Sequence, residues 1–301
     1  MTPEQLPLLP GDAPRTTAMQ VVNVASVPQR SPFRYPGGKT WLVPYIRRWL
    51  RTTPQPVNTF VEPFCGGASV GLTVAFERLA ETVVLAELDA DIAAVWSVIL
   101  AGDAEGLARR ILEFTMTPNT LNAALERAAE TPSMEEIAFA TILRNRVNRG
   151  GILAAGAGRV KQGENGKGLQ SRWYPATLAR RIRDIHAVRE RITFRHDDAF
   201  AVMASFQNTP GTVLFLDPPY TASESKRAGA RLYRHFEIDH PGLFATARDF
   251  PGDVLLTYDN AEGVRRMADA VGLAYRPVAM KSTHHATQTE LLIGKDLRWM
   301  D

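Results

Sequence analysis

A chain of 301 residues, 45% hydrophobic and 22% charged, can bury a full globular core, as one large domain or as two smaller ones. Its single cysteine, Cys65, rules out an intrachain disulfide, and with six histidines no spacing suited to a metal site stands out. No apolar run reaches the about 18 residues of a membrane span. Met1 to Arg30 has neither a basic n-region nor a continuous apolar stretch, which predicts a poorly ordered leader in a cytoplasmic protein rather than a secretory signal.

The first predicted helix covers residues 39–50, where Trp41, Leu42, Tyr45, Ile46, Trp49 and Leu50 recur at helical spacing as a core-facing stripe. Ahead of it, Phe33-Arg34-Tyr35-Pro36-Gly37-Gly38-Lys39 places an aromatic ring, a flexible turn and a cation just before a helix. Asn58 to Phe64 reads as a short strand that includes Glu62, Pro63 and Phe64. Cys65-Gly66-Gly67-Ala68-Ser69 and a helical run through Arg78 follow. Paired glycines between strand and helix permit positive φ and close approach of backbone to a ligand, beside the free N–H groups of a helix start. The β-branched strand Thr82–Ala86 ends at Glu87, about 20 residues past the glycines. In dinucleotide-type folds an acid at that place holds a ribose hydroxyl pair. The glycine spacing is neither G-x-G-x-x-G nor a Walker loop, so a nucleoside ligand without phosphates is favoured. Asp89 to Leu100 is the next predicted helix, with Ile92, Val95, Trp96 and Ile99 on one stripe.

From Gly102 to about Gly168 the βα alternation stops. Helices are predicted at Leu107–Phe114, Leu121–Ala129 and Glu135–Arg144, with Pro118 and Pro132 as breakers, before two glycine-dense stretches that read as loop or hairpin. Thr141 to Arg195 holds thirteen Lys and Arg against three acids, +10, which leaves −7 for the rest of a chain whose net charge is +3. An Arg-dominated run broken by glycines and by Trp173-Tyr174 fits a surface that tracks a polyanion. A helix over Pro175–Val188 returns the chain to a strand, Arg191–Arg195, that ends near Asp197, Asp198 and Phe200.

The buried strand Thr212–Leu216 stops at Asp217-Pro218-Pro219-Tyr220. Two prolines fix their φ angles and supply no N–H, so the turn presents a carboxylate, a free carbonyl and an aromatic ring at the carboxyl edge of a sheet. Two acceptors beside a π-face suit an exocyclic amino group on a planar heterocycle. Thr221–His235, with Lys226, Arg227, Arg231 and Arg234, reads as a loop over the substrate, and strands at Val254–Tyr258, Tyr275–Met280 and Thr289–Ile293 complete the sheet.

Tyr35-Pro36-Gly37-Gly38-Lys39, Phe60 to Gly67 and Asp217 to Tyr220, in this order, resemble the Dam-type DNA adenine-N6 methyltransferases; Leu255–Asn260 and Glu290–Ile293 match more weakly. The resemblance implies an α/β, Rossmann-like methyltransferase sheet over 31–101 and 170–301. It also implies a target-recognition insert at 102–169 and a leader at 1–30. Implied too are S-adenosylmethionine (AdoMet) as cofactor, double-stranded DNA as partner, and DNA adenine methylation of the kind used in restriction-modification. Tyr35, Gly37, Gly38, Lys39, Glu62, Pro63, Phe64, Gly66, Gly67, Glu87, Asp198, Phe200 and Asp217 would hold the cofactor, with Asp197 an alternative to Asp198 and Asp89 to Glu87. Asp217 and the Pro218 carbonyl would accept from the target amino group, Pro219 would stiffen the turn, and Tyr220 would stack on the flipped base. Arg144, Asn145, Arg146, Asn148 and Arg149 are residue types that read guanine and adenine edges, with Lys161 and Arg172 as phosphate contacts. The glycine-rich stretch after them departs from the segment that family members use on GATC, so no target sequence is implied. Three other readings remain: a cytosine-N4 methyltransferase, a protein-amide or RNA methyltransferase, and an inactive methylase fold that only binds DNA.

Overall fold

The computed structural model describes residues 27–34, 38–163, 166–221, 232–281 and 287–301. Seven strands form one sheet: β1 Thr59–Glu62, β2 Thr82–Glu87, β3 Ile192–His196, β4 Thr212–Leu216, β5 Val254–Asp259, β6 Ala274–Lys281 and β7 Thr287–Gly294. Their order is β3-β2-β1-β4-β5-β7-β6. β1 to β5 run parallel, and β7 is antiparallel to both β5 and β6. Chain order reverses between β1 and β4, which opens a crevice beyond their carboxyl ends, the ligand-binding place of doubly wound sheets.

Alternation along the strands divides the core between two faces. Phe60, Val83, Leu85, Phe215 and Leu255 point to one side, Val61, Val84, Ala86, Leu214, Leu216 and Leu256 to the other. The first face is covered by α1 Val43–Thr52, α2 Ser69–Glu77 and α3 Ala90–Leu100. The aromatic stripe packs here as expected: Trp49 meets Phe60 edge-on at 6.4 Å, and its indole N–H reaches Asp253 at 2.7 Å. Helix α2 lies close to the sheet because Gly71 has no side chain. A Cβ there would stand 2.5 Å from both Glu62 Oε2 and Leu85 Cδ2. Later in the chain, α8 Ala199–Ser205, α9 His240–Asp249 and α10 Glu262–Val271 cover the second face.

The intervening helices α4 Ala104–Glu113, α5 Pro118–Glu130, α6 Met134–Val147 and α7 Pro175–Ala187 share one continuous apolar core with α3 and the sheet. Phe114 joins them, edge-on to Phe139 at 5.3 Å and to Trp173 at 5.8 Å. Pro118 does not only break a helix. It opens α5 at the first helical position, behind a capping box made by Thr117 and Thr120. The expected leader is corrected at its end. Val27 is buried, and Arg30 pairs with Glu77 at 3.5 Å and lies 4.3 Å from the Phe76 ring, while residues 1–26 lie outside the described residues.

Candidate active site

Parallel strands bring their carboxyl ends to one edge, and acids stand at all five: Glu62 on β1, Glu87 on β2, Asp198 after β3, Asp217 after β4 and Asp259 on β5. A cavity at this edge is lined by Gly38, Lys39, Glu62, Pro63, Phe64, Gly66, Gly67, Glu87, Asp198, Phe200 and Asp217. The expected cofactor residues are thus brought together, apart from Tyr35 and Gly37, which lie outside the described residues.

The turn between β1 and α2 is built around positive φ angles, 44° at Gly66 and 49° at Ala68, the N-cap residue just before α2. Glu87 closes the turn from the next strand. Its Oε2 accepts from Gly66 N–H at 3.0 Å, and its Oε1 from Leu88 and Asp89 N–H at 2.9 Å each. Burial pushes its carboxyl up to about 7, and the Asp89 carboxylate adds to this, while those three N–H groups oppose it. Asp89 is otherwise engaged: it caps α3 through Asp91 N–H at 2.9 Å and meets Arg234 at 3.2 Å. Burial likewise raises Glu62, which accepts from Gly71 N–H at 2.7 Å. At β3, Asp198 caps α8 through Phe200 and Ala201 N–H at 2.9 and 3.2 Å, whereas Asp197 turns to Arg195 at 2.5 Å and does not line the cavity.

Around the Asp-Pro-Pro-Tyr turn the polar groups interlock. Asp217 Oδ1 accepts from Thr257 Oγ1 at 2.7 Å and from Tyr220 Oη at 3.2 Å, and Lys39 Nζ lies 3.1 Å away. Asp217 Oδ2 and the Pro218 carbonyl accept no hydrogen bond among the described residues. Tyr220 stacks on Tyr258 with centroids 5.6 Å apart, and burial holds its hydroxyl well above the usual range, so it stays a neutral donor. Sequence reading missed Glu290, whose Oε2 lies 3.0 Å from Tyr220 Oη and 3.3 Å from Lys39 Nζ. It also missed Thr257, Gly71 and Trp96. Glu290 and Thr257 sit in the two strands that match only weakly, Gly71 lies in the helical run past the glycine turn, and Trp96 reads as core.

The residues expected to read bases fare differently. Asn145 is fully buried and clamps the chain's own backbone, donating to the Arg34 and Gly151 carbonyls and accepting from Arg34 N–H. Asn148 donates to the Ile152 carbonyl at 2.7 Å, and Arg144 pairs with Asp91 at 3.1 Å. Arg146 is buried, bonded to the Pro32 carbonyl, and turned into a second cavity that Arg34 and Arg181 also line. No carboxylate lines that cavity among the described residues. Burial, with the Arg181 and Arg34 charges, pushes Arg146 down to about 9. Arg149 and Lys161 are exposed and Arg172 is half-buried. Of the basic loop after Tyr220, Arg234 holds Asp89 and Asp91 at the rim of the first cavity, while Lys226, Arg227 and Arg231 lie outside the described residues.

Among the described residues no helix is long and apolar enough to cross a membrane, and no group of three or more His, Cys, Asp or Glu is placed to hold a metal ion. The strand order and the glycine turn closed by Glu87 define a Rossmann-like α/β fold with a cavity at the carboxyl ends of its parallel strands. The chain belongs to the D12 class N6 adenine-specific DNA methyltransferase family, whose model matches residues 35–276. It is therefore an adenine-specific DNA methyltransferase that uses AdoMet. No curated protein matches the chain. Among solved structures, the rRNA methyltransferase AviRa from Streptomyces viridochromogenes is 17% identical, with a TM-score of 0.38 over 87% of this chain and 86% of that one. A proposed RNA methyltransferase, PH1948 from Pyrococcus horikoshii, is 9% identical, with a TM-score of 0.37 over 90% and 92%. At these scores the two carry no argument, and the fold rests on the chain's own sheet.

Proposed function

We propose that the chain methylates, site-specifically, the N6 amino group of an adenine turned out of duplex DNA, with Asp217 and the Pro218 carbonyl as acceptors of that amino group. The observation that carries this reading is that Asp217 Oδ2 and the Pro218 carbonyl, on consecutive residues at the carboxyl end of β4, accept no hydrogen bond among the described residues. The N6 lone pair is delocalised into the ring. Two acceptors on its hydrogens draw the nitrogen toward tetrahedral geometry and free that pair for attack. Bound AdoMet supplies a methyl group already activated on a sulfonium. The protein's share is positioning and electrostatics, worth about 7–11 kcal/mol where near-attack geometry is held.

For the cofactor, Glu87 would take the ribose hydroxyls, with Oε2 keeping acceptor capacity beyond its one backbone bond while Oε1 already accepts two. Asp198 would accept from the amino group of the cofactor's adenine, with Phe200 against the ring. In the duplex the target amine is inaccessible, so the base must leave the stack. Tyr220, stacked on Tyr258 and with the Lys39 ammonium 4.8 Å from its ring centroid, would then pack against that base.

Residues 102–169 serve as the recognition element, with roles redistributed by burial. Arg149 remains the base reader, and Lys161 and Arg172 contact phosphates. Arg146, Arg34 and Arg181, which line one cavity together, would clasp one more. Such an enzyme works where chromosomal or phage DNA lies, in the cytoplasm. Transfer of tritium from labelled AdoMet to unmethylated duplex DNA, followed by base analysis, tests the reading. Label in N6-methyladenine is expected, and label in cytosine or none at all would overturn it.

A further inference from the structure

Glu290 is 6% exposed, on β7, opposite Asp259 of β5 and Val278 of β6. It does not line the cofactor cavity. Among the described residues its polar contacts are Lys39 Nζ at 3.3 Å and Tyr220 Oη at 3.0 Å, both on Oε2. The same two groups reach Asp217 Oδ1, at 3.1 and 3.2 Å. A buried carboxylate is costly, and an apolar side chain of similar size would often stabilise a core more. A group placed at that cost, out of reach of the ligand and bonded only to partners of the reacting acceptor, acts through those partners.

We propose that Glu290 is a positioning residue for methyl transfer, acting through Lys39 and Tyr220 to fix Asp217 with Oδ2 turned to the target amine. The inference rests on the reading of Asp217 as the acceptor of that amine. Lys39 alone against Asp217 would form a closed neutral pair, its ammonium drawn fully onto the carboxylate and weakening it as an acceptor. Glu290 shares that ammonium with Asp217, so Lys39 is drawn less fully onto the acceptor. The Tyr220 hydroxyl has one proton to give and two oxygens in reach. Its bond to Glu290 holds the ring in register with Tyr258 while leaving Asp217 secured by Thr257.

The test uses the full chain, labelled AdoMet and unmethylated genomic DNA. Glu290→Gln keeps the shape and removes the charge. It is expected to lower kcat at least tenfold while KM for AdoMet and for DNA stays within threefold. Glu290→Asp, which withdraws the carboxylate from Lys39 and Tyr220, shifts kcat and KM the same way and decides the matter should the first variant fail to fold. In a Lys39→Gln background, Glu290→Gln should cost less than a further threefold, because its route to Asp217 is gone. A kcat within threefold of wild type, a loss confined to KM, or two substitutions whose effects multiply would overturn the inference. A wild-type chain that labels no adenine would instead overturn the reading of Asp217 beneath it.

Discussion

Trp96 donates its indole N–H to the Gly66 carbonyl at 2.9 Å, so a core residue of α3 props the turn that faces the cofactor cavity. Gly66 stands at a φ of 44°, and the prop helps hold a backbone that an unsupported loop would sample only part of the time. Trp96→Phe keeps most of the packing and removes one hydrogen bond, about 0.5–1.5 kcal/mol net. AdoMet affinity measured by calorimetry should weaken about two- to tenfold, with kcat at saturation close to wild type. Unchanged affinity would show that the turn holds itself.

Glu87 should make cofactor binding depend on pH. With its carboxyl pushed up to about 7, the group is largely protonated at pH 5.5 and has one acceptor oxygen fewer for the ribose. AdoMet should therefore bind more tightly at pH 8 than at pH 5.5, and Glu87→Gln should flatten that difference. Stability without ligand moves the other way. The folded chain keeps this proton up to about 7 while an unfolded glutamate releases it near 4.5, so ionisation opposes folding between those values. Stability should fall as pH rises through that window, and less so in Glu87→Gln. Denaturation series at pH 5 and pH 7.5 on both proteins check the sign.

Gly71→Ala should be a stability variant before it is an activity variant. The added Cβ would sit 2.5 Å from Glu62 Oε2 and Leu85 Cδ2, so those buried side chains or α2 itself must shift. Overpacking of this kind costs about 1–3 kcal/mol. Urea denaturation should show that loss, and wild-type stability would mean that α2 shifts freely.

The arginines of the recognition element should separate by burial. Arg149→Ala is expected to relax preference at one base pair of the methylated site, seen by single-molecule sequencing of modified DNA. Arg146→Ala should weaken binding to all sequences alike and reduce the salt slope by about one, the signature of a lost phosphate contact. A changed sequence profile with Arg146→Ala would return that residue to base reading.

All seven strands were legible in the sequence, because each is a short apolar or β-branched run bounded by turn residues, and the motifs at their ends mark the site. Burial of the insert was less legible. Arg144, Asn145, Arg146 and Asn148 have the composition of a DNA-reading surface. Yet α6 packs along α3, which turns the two asparagines to backbone carbonyls and Arg146 to the inside. Charge counted along a chain does not show which face a helix presents. Helices α8, α9 and α10 were missed, the first two although Asp198 and Asp239 stand as caps, because each is short, seven to ten residues. Glu290 was visible only as part of a strand, since its partners Lys39 and Tyr220 come from distant segments.

The central claim, that Asp217 activates the target amine, is tested most directly by turnover and AdoMet binding measured side by side on Asp217→Ala. The account predicts methyl transfer reduced to background while AdoMet affinity stays within a few-fold, because the lost acceptor serves the substrate amine. A variant that keeps a tenth or more of wild-type turnover, a barrier change of only about 1.4 kcal/mol, would contradict it.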